Sequence, residues 1–196
     1  TQTSSSTHMM TTSTGQGAGG SGGSGTIDCA QYCAEVTGAC SGADEQYASE
    51  PECEQICGAL PMTPGASNTA ACRANIADAL AQNPSKCSSA GPAGQPACGG
   101  TCDAYCYLMH FHCPAEFSGI MDCGLQCPHF GADPASYDDS QRSGATTACH
   151  LYWATQAVLD PANCANAGVA SPVCGGTGGG GGAGGGGAGG SGVGGS

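Results

Sequence analysis

The chain is 196 residues long and contains 16 Cys, 36 Gly and 31 Ala, with 3 basic residues against 15 acidic ones, for a net charge of −12. The three cations, Arg73, Lys86 and Arg142, form no patch, which argues against nucleic acid and anionic membrane as partners. Large apolar side chains are scarce. The interior must therefore be thin, and cross-links must supply what burial cannot.

Residues 1–26 open with TQTSSSTHMMTTST and continue as a Gly/Ser run without apolar periodicity. They read as linker, and secondarily as a Ser/Thr tract of the kind that carries O-linked glycans on exported proteins. The start at Thr1, with no basic leader region and no apolar run long enough to span a bilayer, is the expectation for a mature exported chain, equally for a trimmed one, and is compatible with a lipid anchor on the precursor.

From Cys29 the cysteines follow a pattern that occurs twice. CAQYC at Cys29 matches CDAYC at Cys102, and a further Cys follows seven residues on, at Cys40 and Cys113. Cys-x3-Cys pairs come next, Cys53/Cys57 and Cys123/Cys127. The segment TAACRANIADALAQNPSKC from Thr69 then aligns with TTACHLYWATQAVLDPANC from Thr146. Cys72 to Cys87 and Cys149 to Cys164 share one spacing, with Pro84 and Pro161 at the same place, and each copy closes at Cys98 or Cys174. The expected organisation is a linker over 1–26, cysteine modules over 27–100 and 101–174, and a Gly-rich tail over 175–196.

Cys-x3-Cys places both sulfurs on one helix face, so two such pairs on antiparallel helices can be bridged like ladder rungs. This predicts a stapled helical hairpin in each copy. Ser49 and Glu52 stand in a capping-box arrangement at the start of the second helix, with Pro51 in its first turn. A third helix is expected over 68–82, ending at Pro84, and its counterpart over 145–159, ending at Pro161. If Cys29 pairs with Cys57 and Cys33 with Cys53, the other four tie the third helix and the AGP loop to the hairpin. Eight cysteines allow 105 pairings, and the sequence does not choose among them. The fold class expected is small, all-α and disulfide-rich: a tandem duplication of a three-helix, eight-cysteine module with disordered or extended Ser/Thr- and Gly-rich tails. An even cysteine count places the chain in an oxidising compartment, extracellular or at the cell surface.

The motifs C-x2-Y-C-x6-C, QYASEPECEQIC, SNTAACR and NPSKCSSAGPAGQPACGG resemble a module of cysteine-rich secreted proteins and lipoproteins of myxobacteria and related predatory bacteria. The resemblance covers residues 29–100 closely and 102–176 more loosely, and it implies an envelope or extracellular location. Such proteins tend to carry His beside the cysteine before the AGP loop, where this chain has Ser85, Lys86 and Ser88.

Met109, His110, His112 and His129 are the weak metal candidates, since thioether and imidazole suit copper and imidazole suits zinc. Residues 110 and 112 lie about 200° apart on a helix, so surface histidines are the preferred reading. Oxidised cysteines are no ligands, and Cys-x3-Cys is not the zinc-knuckle spacing. No cofactor is expected: C-x-x-C-H, the P-loop, Gly-x-Ser-x-Gly and His-Glu-x-x-His are absent from the sequence. Ser118, His150 and Asp160 are a triad only on paper, and His150 reads as a partly exposed polar residue. Tyr105, Tyr107, Phe111, Tyr152 and Trp153 read first as core, standing in for Ile27, Val36, Leu60, Ile76 and Leu80 of the first copy, and second as a contact surface.

The last 22 residues contain sixteen Gly and no side chain larger than that of Val193. They read as coil in isolation, or as stacked extended helices in an assembly. The functional expectation is a non-enzymatic extracellular structural protein, self-associating as a fibre or surface-layer subunit. The alternative is a cell-surface binding module for a small ligand, sugar or metal.

Overall fold

A computed structural model describes residues 27–63, 67–117 and 119–175. The expectations for the Ser/Thr- and Gly-rich segment 1–26 and, apart from Gly175, for the Gly-rich tail lie outside the described residues. Within them the protein is all-helical, and all sixteen cysteines are paired.

The helix α1 (Cys29–Ala39) starts where Asp28 Oδ1 accepts hydrogen bonds from the backbone N–H groups of Ala30 and Gln31, satisfying donors that the first turn leaves open. Its partner α2 (Glu50–Ala59) starts at Ser49, whose hydroxyl accepts from Glu52 N. Bridges Cys29–Cys57 and Cys33–Cys53 hold the two antiparallel, as the one-face spacing predicts. Of the expected capping box the Ser49 half is seen, whereas the Glu52 carboxylate accepts from Gln156 Nε2 at 2.7 Å, across the molecule.

The helix α3 (Ala70–Ala77) is shorter than the expected span of 68–82. Beyond Ala77 the backbone tightens, with Ala79, Leu80 and Gln82 donating to carbonyls three residues back, and the α-helical ladder ends. Pro84 does more than stop a helix. It opens a 3-10 turn (Pro84–Lys86) that delivers Cys87 to the short helix α4 (Cys87–Ala90). Cys40–Cys87 then ties the end of α1 to α4, and Cys72–Cys98 ties α3 to the loop after it.

The second half contains α5 (Thr101–His112), α6 (Ile120–Gln126), α7 (Thr147–Leu159) and α8 (Cys164–Ala167). Here the bridges are Cys102–Cys127, Cys106–Cys123, Cys113–Cys164 and Cys149–Cys174. The span of α7 is close to the expected 145–159. Thr146 caps it through Cys149 N at 3.1 Å, as Thr69 caps α3 through Cys72 N at 3.1 Å.

The halves are not separate beads. One cluster of buried side chains runs through both, from Tyr32 and Val36 to Leu108, Leu151 and Ala167, and α2 lies against α7. The long irregular stretch between the 3-10 turn Cys127–His129 and α7 doubles back onto the first half. Tyr137 is buried there, with its N–H donating to Ser88 Oγ at 3.0 Å and its carbonyl accepting from Gln46 Nε2 at 2.8 Å. Asp139 N donates to Glu45 O at 2.7 Å.

This seam is acidic. Burial pushes the carboxyls of Glu52 and Asp139 up from their ordinary values, against the hydrogen bonds from Gln156 and Arg142. A carboxyl whose pKa rises on folding favours the protonated state, so its contribution is fully present below the unfolded pKa and is lost as pH rises through the folded one. Between pH 7 and pH 5, Glu52→Gln is therefore expected to stabilise most at neutral pH, with its advantage over the wild type shrinking on acidification. Melting temperatures of both proteins at the two pH values check this. An advantage that grows toward acid would contradict it.

Candidate functional site

Each half folds its third helix against the AGP-type loop by burying one nitrogenous side chain that follows a half-cystine. In the first half this is Arg73, which is fully buried. Its Nε donates to Gly91 O at 2.9 Å, Nη1 to Thr69 O at 3.2 Å, and Nη2 to Asn68 Oδ1 and Pro92 O at 2.8 Å each. Tyr32 adds a hydroxyl, which donates to Ala90 O at 2.5 Å and meets Tyr47 Oη at 2.8 Å. Burial pushes the Tyr32 phenol up to about 12, so it stays a donor at any physiological pH.

In the second half His150 stands where Arg73 stands in the first. It is 1% exposed, which corrects the expectation of a partly exposed polar residue. Its Nδ1 lies 3.0 Å from Ala167 O, and Tyr105 Oη donates to the same carbonyl at 2.9 Å. A carbonyl only accepts, so Nδ1 carries the proton and Nε2 the lone pair. Burial lowers the pKa of His150, against the backbone hydrogen bonds at Ala167 and Gly168 and the charge of Asp133.

Phe130 stacks on the His150 imidazole with centroids 3.8 Å apart and planes 13° off parallel. Tyr105 meets both rings edge-on, at 5.5 Å from Phe130 and 5.9 Å from His150, and Phe117 closes the aromatic group at 6.0 Å from Tyr105. Beside this group lies a cavity of about 220 Å³, lined by Gln126, His129, Phe130, Gly131, Ala145, His150, Val169 and Gly175. Gly131 fits because it has no side chain. A Cβ there would stand 1.9 Å from Ala145 O, where the backbone pairs Gly131 with Thr146.

The metal candidates do not assemble. Met109 is buried in the core, whereas His110 borders a surface groove with Ile120, Met121 and Leu125. His112 is partly buried, which lowers its pKa. His129 joins the His150 cavity instead of either of them. Among the described residues no group of three or more His, Cys, Asp or Glu is arranged to hold a metal ion. The paper triad also fails to assemble: Ser118 lies outside the described residues, and Asp160 caps the far end of α7, about 15 Å along the axis from His150.

Of the second-half aromatics, Tyr105 and Tyr152 are core. Tyr107 and Trp153 are partly buried against that core, and Phe111 is 57% exposed. In the first half Val36, Leu60 and Leu80 are buried, while Ile27 and Ile76 only flank the core. Sequence reasoning missed Tyr32 and Arg73, and the AGP-loop carbonyls that they and Tyr105 hold. The signal was present: Tyr precedes the second Cys in both copies, and a hydrogen-bonding side chain follows Cys72 and Cys149.

Comparison with family models, curated proteins and solved structures finds no match to this chain.

Proposed function

We propose that the chain is an extracellular structural protein, not an enzyme, built by tandem duplication of one three-helix, eight-cysteine module. One observation carries this reading. Numbered along each half, the cysteines pair first with fifth, second with fourth, third with seventh and sixth with eighth, in both halves. The repeated Tyr–Ala carbonyl bonds and Thr caps support the same origin.

Eight bridges persist only where thiols are not kept reduced, which supports export. No helix among the described residues is long and apolar enough to cross a membrane. Self-association is supported by α6, which exposes Ile120, Met121 (86%) and Leu125 (73%) beside His110. Apolar side chains grouped in this way on a surface mark contact sites.

Sedimentation and negative-stain microscopy of the unreduced full chain test this reading, with Met121→Lys/Leu125→Lys as the paired variant. Oligomers or fibres that the double substitution disperses are expected, with no thiol open to alkylation in either protein. A monomer at all concentrations, or extensive alkylation without reductant, would overturn it.

A further inference from the structure

The cavity beside His150 combines four features that the structural role does not require. Its lining holds no Asp, Glu, Lys or Arg, in a chain whose net charge is −12. One wall is a stacked aromatic pair, Phe130 on His150. The one deeply buried polar side chain in the lining, His150, is locked by Ala167 O into the tautomer that leaves Nε2 as an acceptor. At about 220 Å³ the space is larger than an apolar cavity of roughly 150 Å³ that takes up benzene.

We propose that this cavity binds a small uncharged aromatic alcohol, whose ring packs against Phe130 and Val169 and whose hydroxyl donates to His150 Nε2. An anion finds no cation in the lining, and a metal ion finds at most the two imidazoles of His129 and His150. A phenol-class molecule uses what is present: an apolar wall, one acceptor, and the Gln126 amide at the rim. The site belongs to the second half alone, because Arg73 occupies the matching position in the first and turns all its donors onto the backbone and Asn68.

The test titrates phenol, and separately toluene, into the full unreduced chain at pH 7.5 while following the histidine ring nitrogens by NMR. Saturable shifts at His150 and His129 with phenol are expected, with His110 and His112 unmoved. Toluene should bind about tenfold more weakly, the factor that one ordinary hydrogen bond contributes. Val169→Phe, which fills the cavity, should abolish the response while all eight bridges remain by mass. If that variant misfolds, the phenol–toluene difference in the wild type decides. Equal binding of the two, shifts confined to His110 or His112, or no saturable shift would overturn the proposal. So would a response at His150 and His129 to zinc ion with none to phenol, which would assign the cavity to a cation.

Discussion

Reduction of the eight bridges in buffer without denaturant is expected to abolish the cooperative thermal transition and most of the helical circular dichroism. The bridges span separations from 17 to 51 residues. In the chain-entropy model each closure of that size contributes about 3–4 kcal/mol, less where loops nest. Their sum exceeds the roughly 5–15 kcal/mol by which ordinary domains are stable. What remains after reduction is an interior of Ala, a few Leu, Ile and Val, and buried Tyr, too small to offset the chain entropy of about 150 residues. Twelve of the sixteen half-cystines are themselves buried, so reduction also replaces packed sulfur bridges with separate thiols in the core. Circular dichroism and calorimetry before and after reductant measure the effect. A reduced chain that keeps a sharp transition would show that burial alone suffices.

Arg73→Met is expected to be the most damaging single substitution outside the cysteines, costing about 3–5 kcal/mol. Methionine keeps much of the apolar stem but supplies none of the donors that hold Thr69 O, Gly91 O, Pro92 O and Asn68 Oδ1. Thr69 O and Gly91 O would keep the backbone N–H groups of Arg73 and Gly94, but Pro92 O and Asn68 Oδ1 would lose the guanidinium, and each buried acceptor so stripped costs about 1–3 kcal/mol before relaxation. The guanidinium also has no carboxylate partner among these bonds. Its charge is met by three backbone carbonyls and the Asn68 amide oxygen, and burial lowers its pKa. Arg73→Lys should fall between wild type and Met, because a point ammonium cannot reproduce the planar fork. The bridges will hold the variant near its native topology, so the loss should appear as a melting temperature lower by about 10 °C or more in the unreduced protein. A shift of only one or two degrees would mean that water replaces the lost donors.

The helical hairpins were legible because Cys-x3-Cys is a local signal: two half-cystines one turn apart admit little besides a helix face. The caps at Thr69 and Thr146 were missed, because the expected spans of 68–82 and 145–159 set both residues inside their helices. The pairing of Cys40 with Cys87 and of Cys72 with Cys98 was not legible, since it depends on where α4 and the AGP loop come to rest in three dimensions. The cavity was hidden by the same kind of distance. Gln126, Gly131, Ala145, Val169 and Gly175 come from separate stretches, and none carries a chemical signature alone. His129 and His110 looked like neighbours in sequence space, yet α6 and its 3-10 turn carry His129 round to His150. The packing of the halves was invisible as well, because the Gln46 side chain bonds a carbonyl of Tyr137 that any residue at that place would present.

The bridge order has a mechanical consequence. Tension entering at Cys29 and leaving at Cys174 need not unravel the whole intervening chain, because sulfur offers shortcuts from Cys29 to Cys57, from Cys72 to Cys98 and from Cys113 to Cys164. Only about 40 backbone steps lie on the shortest covalent route, so the body yields to roughly 140 Å under load, whereas the uncross-linked stretch would reach about 500 Å. A pulled molecule behaves as a short strap with a hard stop.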